Sequence, residues 1–165
     1  MWLRLDLDGV EMRLRIRDYV QSTEDGWHRE WCSIDFHLQS KWINYPRNDA
    51  ELLLSVEVES LRDDLEAVFD GRIIRNFEVR HVEPDLRFFF TVFDKDGRRV
   101  TPMADLRVSF WNHGLTANYL SLCFDQADLD ALWQYLRLVT GEADLSDPRV
   151  RFWLDKGAIL PEYGG

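Results

Sequence analysis

The chain has 165 residues, which suits one domain over 1–165, and 45% of them are apolar, enough to form a sizeable core. Ten Phe, seven Trp and five Tyr exclude a disordered composition. Thirty acidic residues against 20 basic ones give a net charge of −10, which argues against nucleic acid or an anionic membrane as partner and for a basic one, unless the acidity serves solubility alone.

Cys32 and Cys123 stand apart, with no CxxC and no His at metal-ligand spacing, so neither a disulfide framework nor a metal site is expected. The opening Met1-Trp2-Leu3-Arg4-Leu5-Asp6 alternates apolar and charged residues, unlike a secretory leader, and no apolar run approaches a membrane span. These features imply a cytoplasmic protein.

In chain order, Leu3, Leu5 and Leu7, then Asp8-Gly9, then Val10, Met12, Leu14 and Ile16 predict a hairpin. A loop over 21–26 precedes a strand over 27–38, and 39–49, with Asn44, Pro46 and Asn48, reads as irregular. Leu52, Leu54, Val56 and Val58 alternate as in a strand. Leu61, Leu65, Val68 and Phe69 then mark a short helix, with Ser60 as its N-cap and Gly71 at its end. Strands are expected over 77–83, 86–93, 106–111 and 119–124, with a turn at Asp96-Gly97. Leu129, Leu132, Trp133, Leu136 and Val139 predict a second helix ending at Gly141. The core spans about 1–141, and the tail, 142–165, carries an apolar stretch at 150–154 able to dock on the body.

Strand runs each followed by one helix predict an α+β fold: a largely antiparallel sheet of seven or eight strands with two helices on one face. The segments 54–59 and 120–125 echo each other, each read as a strand entering a helix. Alternation assigns Leu3, Leu5, Met12, Leu14, Ile34, Phe36, Leu54, Val56, Phe88, Phe90, Val108, Phe110, Leu120 and Leu122 to the core. The opposite face carries Arg4, Arg13, Arg15, Arg29, Arg87 and Arg107 among Trp2, Trp27, Trp31, Phe89, Trp111 and Tyr119. Arginine mixed with aromatics is the chemistry of single-strand platforms, but cross-strand pairing with Glu11, Asp35 and Glu57 accounts for it too, and the acidic balance opposes a polyanion.

No GxSxG, GxGxxG or P-loop motif occurs, and His28, His37, His81 and His113 are scattered. His81 with Glu83, and His28 with Glu30, make only two-residue pairs. No cofactor is implied. The feature that stands out is acidic: Glu57, Glu59, Asp63, Asp64, Glu66 and Asp70 lie within 14 residues, relieved only by Arg62. Helix N-terminal acids are partly structural, yet six exceed what capping requires, which makes this patch the candidate site for a basic protein surface.

The order of elements, with Glu30-Trp31-Cys32-Ser33-Ile34 early and Glu83-Pro84-Asp85-Leu86-Arg87-Phe88 entering a strand, resembles the WapI-type immunity proteins over about residues 10–140. These small proteins protect bacteria from polymorphic contact-delivered toxins. The chain departs from the pattern in an insertion around 41–49 and in its tail after Gly141. The resemblance implies a protein, not an enzyme, that binds and blocks a cognate toxin domain, often a nuclease. Two other readings stay open: a small enzyme using carboxylates with His81 or His113, and a general interaction module. Sequence leaves the choice between monomer and homodimer open.

Overall fold

The computed structural model describes residues 1–21 and 30–162. Twelve elements follow in order: β1 (Trp2–Leu7), β2 (Val10–Arg17), β3 (Ser33–Gln39), β4 (Asn44–Ala50), α1 (Ser55–Phe69), β5 (Phe77–Arg80), β6 (Leu86–Phe93), β7 (Arg99–Trp111), β8 (Leu115–Phe124), α2 (Gln126–Val139), α3 (Pro148–Asp155) and β9 (Ile159–Leu160). The class is α+β, as expected, and the nine strands divide into two antiparallel sheets, β4-β3-β2-β1-β9 and β5-β6-β7-β8. Buried side chains of both sheets, α1 and α2 form one hydrophobic cluster. Met12, Phe36, Phe88, Leu106, Leu61 and Leu132 meet around a residual void of only about 20 Å³.

The first hairpin turns on Asp8 and Gly9, both at positive φ, as a two-residue turn requires. Its inward residues Leu3, Leu5, Met12 and Leu14 are buried. Strand β3 starts at Ser33; the expected beginning near Trp27, with Arg29 and most of the loop at 21–26, lies outside the described residues. Trp31 makes a single bridge to Leu54.

Two segments differ from the sequence reading. The stretch expected to be irregular holds β4, which pairs with β3 through a bulge opposite Ile34 and Phe36. It is the outermost strand of its sheet, so Pro46 sits where no second neighbour asks for its missing N–H. The strand expected through Leu52 to Val58 is instead a short extended stretch that turns into α1 at Ser55. Cys32 N donates to Leu53 O at 3.0 Å and Ser55 N to Glu30 O at 2.9 Å. The Glu57 carboxylate then accepts from Leu54 N at 2.8 Å and so caps the helix at Leu54, six residues before Ser60. Ser60 is mid-helix, its hydroxyl donating to Val56 O at 2.9 Å. Within α1 the buried residues are Ser55, Val58, Leu61, Leu65 and Val68, a helical stripe, and Val56 is not in the core. The echo between 54–59 and 120–125 therefore joins a helix start to a strand end.

Strands β7 and β8 extend beyond their expected bounds, and β5 stops at Arg80. Helix α2 is capped by Asp125, which accepts from Asp128 N at 2.9 Å while Asp128 accepts from Asp125 N at 3.1 Å. Its buried Tyr135 hydroxyl accepts from Ile16 N at 2.8 Å and donates to Met1 O at 3.3 Å, tying the helix to the first sheet. The segment after α2 packs on the body through two elements: α3, with Val150 buried, and β9, which adds to β1 through Trp2↔Leu160 and Leu3↔Ile159.

The Glu83-to-Phe88 stretch joins the sheets. Asp85, only 3% exposed, accepts from Arg47 Nη1 of β4 at 2.9 Å, and its carbonyl accepts from Ser109 N at 2.8 Å. Tyr45 packs edge-on against Phe110, and its hydroxyl accepts from Trp111 N at 3.0 Å.

Candidate interaction surface

Five acids of the sequence-derived patch lie on α1, Glu57 and Glu59 included, and Asp70 is its C-cap residue, but the six are unequally available. Glu57 is built into the fold: besides capping α1, it accepts from Val82 N at 2.6 Å and lies 3.9 Å from His81 Nδ1. Glu59 accepts from the Tyr19 hydroxyl at 2.5 Å, and burial together with this bond holds the phenol well above its usual range. Asp63 pairs with Arg62 at 2.7 Å, and Arg62 also reaches Glu142. Glu66 and Asp70 share Arg72, at 2.9 and 3.3 Å. Asp64 has no ion pair among the described residues, and burial together with neighbouring Asp63 pushes its carboxyl up. The outward part of the patch is thus Asp63, Glu66 and Asp70, with Asp64 half-buried beside them and two arginines threaded through it.

A second acidic group, with no signal in the sequence, forms where the first hairpin meets the start of α2. Asp8, Asp105, Asp125 and Asp128 surround the exposed Cys123 and hold its thiol up, after burial. None of the four carboxylates makes an ion pair among the described residues. Burial first, then Asp125 and Asp8, raise Asp128 to about 6 despite its backbone hydrogen bond. Next to it an open groove of about 640 Å³ runs between the end of α1, the start of α2, β7 and α3.

The arginine-aromatic faces are largely self-satisfied. On the first sheet, Arg4 and Arg13 both pair with Glu11, at 2.8 and 2.7 Å, and Arg15 and Arg17 converge on buried Asp35. On the second, Arg107 lies over both Phe89 and Tyr119, at 5.3 and 4.1 Å, and Arg80 pairs with Glu78. The tail reaches the first of these faces, where Glu162 pairs with Arg15 at 2.6 Å.

The histidines fall on separate elements: His37 on β3 beside Asn48, His113 in the β7–β8 turn and His81 buried after β5, with His28 outside the described residues. The carboxylate approaching His81 is Glu57, and burial still drives the imidazole down to about 4. Among the described residues no three His, Cys, Asp or Glu side chains are grouped to hold a metal ion, and no helix is long and apolar enough to cross a membrane.

The family model described as "Immunity protein WapI-like family" matches residues 3–141, from β1 through the end of α2. The chain belongs to the WapI-like immunity protein family. The match to the WapI-like family takes in β1 to β8 with α1 and α2 and ends before α3 and β9. No curated protein matches the chain. Among solved structures, "Structure of the plant transcriptional regulator PBF-2" is similar at 12% identity and a TM-score of 0.43, covering 98% of this chain and 97% of that one. A likeness that distant carries no argument about function.

Proposed function

We propose that this WapI-like protein binds a cognate bacterial toxin domain and neutralises it by stoichiometric occupancy, in the cytoplasm and without catalysis. The observation that carries the reading is the family match over residues 3–141. Its electrostatics support a basic target such as the substrate groove of a nuclease: a net charge of −10 and two acidic groups on the surface, one of them lacking any paired cation among the described residues. Inhibition by occupancy needs shape and charge, and Asp63, Asp64 and Glu66 of α1 with Asp70 at its end offer the charge.

The test is co-expression with a candidate toxin domain, the C-terminal domain of a large secreted protein where one is encoded immediately upstream. Rescue of growth and a stable complex of defined stoichiometry are expected. Continued toxicity together with no complex at micromolar concentration would refute the reading. Replacing Asp63, Asp64, Glu66 and Asp70 by their amides is expected to slow association by about tenfold at low salt. An unchanged rate would remove α1 from the interface.

A further inference from the structure

The groove beside α3 combines two properties that rarely meet on a surface left to solvent. Its walls are carbon: Phe69 from the end of α1, Ala127 from the first turn of α2, and Phe152 and Trp153 from α3. Among the described residues its only charged lining groups are carboxylates, Asp125 and Asp130. The walls are held in place. Trp153 Nε1 donates to Asp130 Oδ2 at 2.8 Å, and the other Asp130 oxygen accepts from Gln134 Nε2 at 3.0 Å. Phe69 stacks on Trp133 at 5.2 Å, and Phe152 meets Trp153 edge-on at 4.9 Å. Phe152 nonetheless stays 51% exposed, with Lys156 over its outer side at 5.6 Å.

The charged groups lining the groove are carboxylates, with Lys156 over Phe152 at its edge. Asp125 belongs both to the groove wall and to the group with Asp8 and Asp128, whose mutual repulsion no cation relieves among the described residues. An occupant that only buried carbon would leave that repulsion in place, and a hydrated cation would leave Phe152 and Trp153 wet. An arginine or lysine carried among apolar neighbours satisfies both, because its methylene stem lies on aromatic surface while its head meets carboxylate. The α3 wall also lies beyond residue 141, outside the part of the chain matched to the family.

We propose that this groove receives a basic, apolar-stemmed segment of the toxin domain, with α3 supplying the part of the interface that sets which toxin is recognised. The inference rests on the immunity reading and adds to it a place and a chemistry. The acidic stripe of α1 ends at Asp70, next to Phe69 in the groove wall, so one docked partner spans both.

The experiment measures binding of the same toxin domain to the full chain and to two variants, Phe152→Ala, which removes an exposed wall, and Ala127→Arg, which fills the groove with a cation of its own. Both are expected to weaken binding by about tenfold or more with little change in thermal unfolding. Hydrogen exchange on the wild-type chain, which needs no variant, is expected to show protection at 125–130 and 150–153 on complex formation. Wild-type neutralisation with full-strength binding by both variants and no protection there overturns the groove and leaves the immunity reading standing. Absence of any wild-type complex overturns both.

Discussion

Burial of an imidazole with no hydrogen-bond partner for its Nε2 among the described residues sets how the fold responds to acid. His81 titrates at about 4 in the folded chain, against an ordinary value of 6.5. Between those values the unfolded chain holds the extra proton. The contribution is therefore complete above pH 6.5 and is lost as pH falls toward 4, by up to about 3 kcal/mol. Asp128 works in the opposite sense, since its carboxyl is raised to about 6 and the folded chain holds that proton through the same window. Replacing His81 by Gln is expected to flatten or invert the loss of stability between pH 7 and pH 5, read from urea midpoints at the two values. A wild-type slope in the variant would show that acid acts elsewhere. Asp85 offers a second test at this scale. Its removal as Asp85→Ala strands the Arg47 guanidinium between the two sheets and is expected to cost about 3 kcal/mol, measurable by chemical denaturation.

At the scale of elements, the clearest signals in the sequence are those whose periodicity is enforced by burial. The β1–β2 hairpin alternates because one face is core, and α2 shows its stripe because Leu129, Leu132 and Leu136 all point inward. Strand β4 gives no such signal: as an outermost strand it buries only Ala50, so Asn44, Pro46 and Asn48 read as loop. The start of α1 misleads for the reverse reason. Leu52 and Leu54 are buried in the short pairing with 31–32, and Val56 and Val58 continue the alternation by coincidence into a helix that Glu57 caps. The candidate site divides in the same way. The α1 acids are contiguous and visible, whereas Phe69, Thr101, Ala127 and Phe152 become neighbours only through packing. Glu57→Ala is expected to destabilise by about 1–2 kcal/mol through loss of the cap and of the bond to Val82, and Asp63→Ala by far less. Thermal unfolding of the pair checks the contrast.

For the whole molecule, two sheets and two helices around one core present acidic surface on α1 and at the start of α2, while the arginines are mostly paired on the sheet faces. Attraction of a basic partner by such a distribution acts mainly on encounter. Between 50 and 500 mM salt the association rate with the toxin domain is expected to fall by an order of magnitude or more, with dissociation changing less, as read by stopped-flow fluorescence. A salt-independent rate would show that the acidic surplus serves solubility alone.

The pairing of β9 with β1 also carries a consequence for the order of events in folding. Trp2 and Leu3 meet Leu160 and Ile159, the largest separation along the chain of any strand pair, for a strand of two residues. Closing that loop costs the most entropy for the least immediate return, so the contact belongs after the transition state and acts as a latch. Ile159→Ala is then expected to speed unfolding while leaving the refolding rate nearly unchanged, with both limbs read from one chevron. The last strand decides how long the fold stays shut and has little say in how fast it forms.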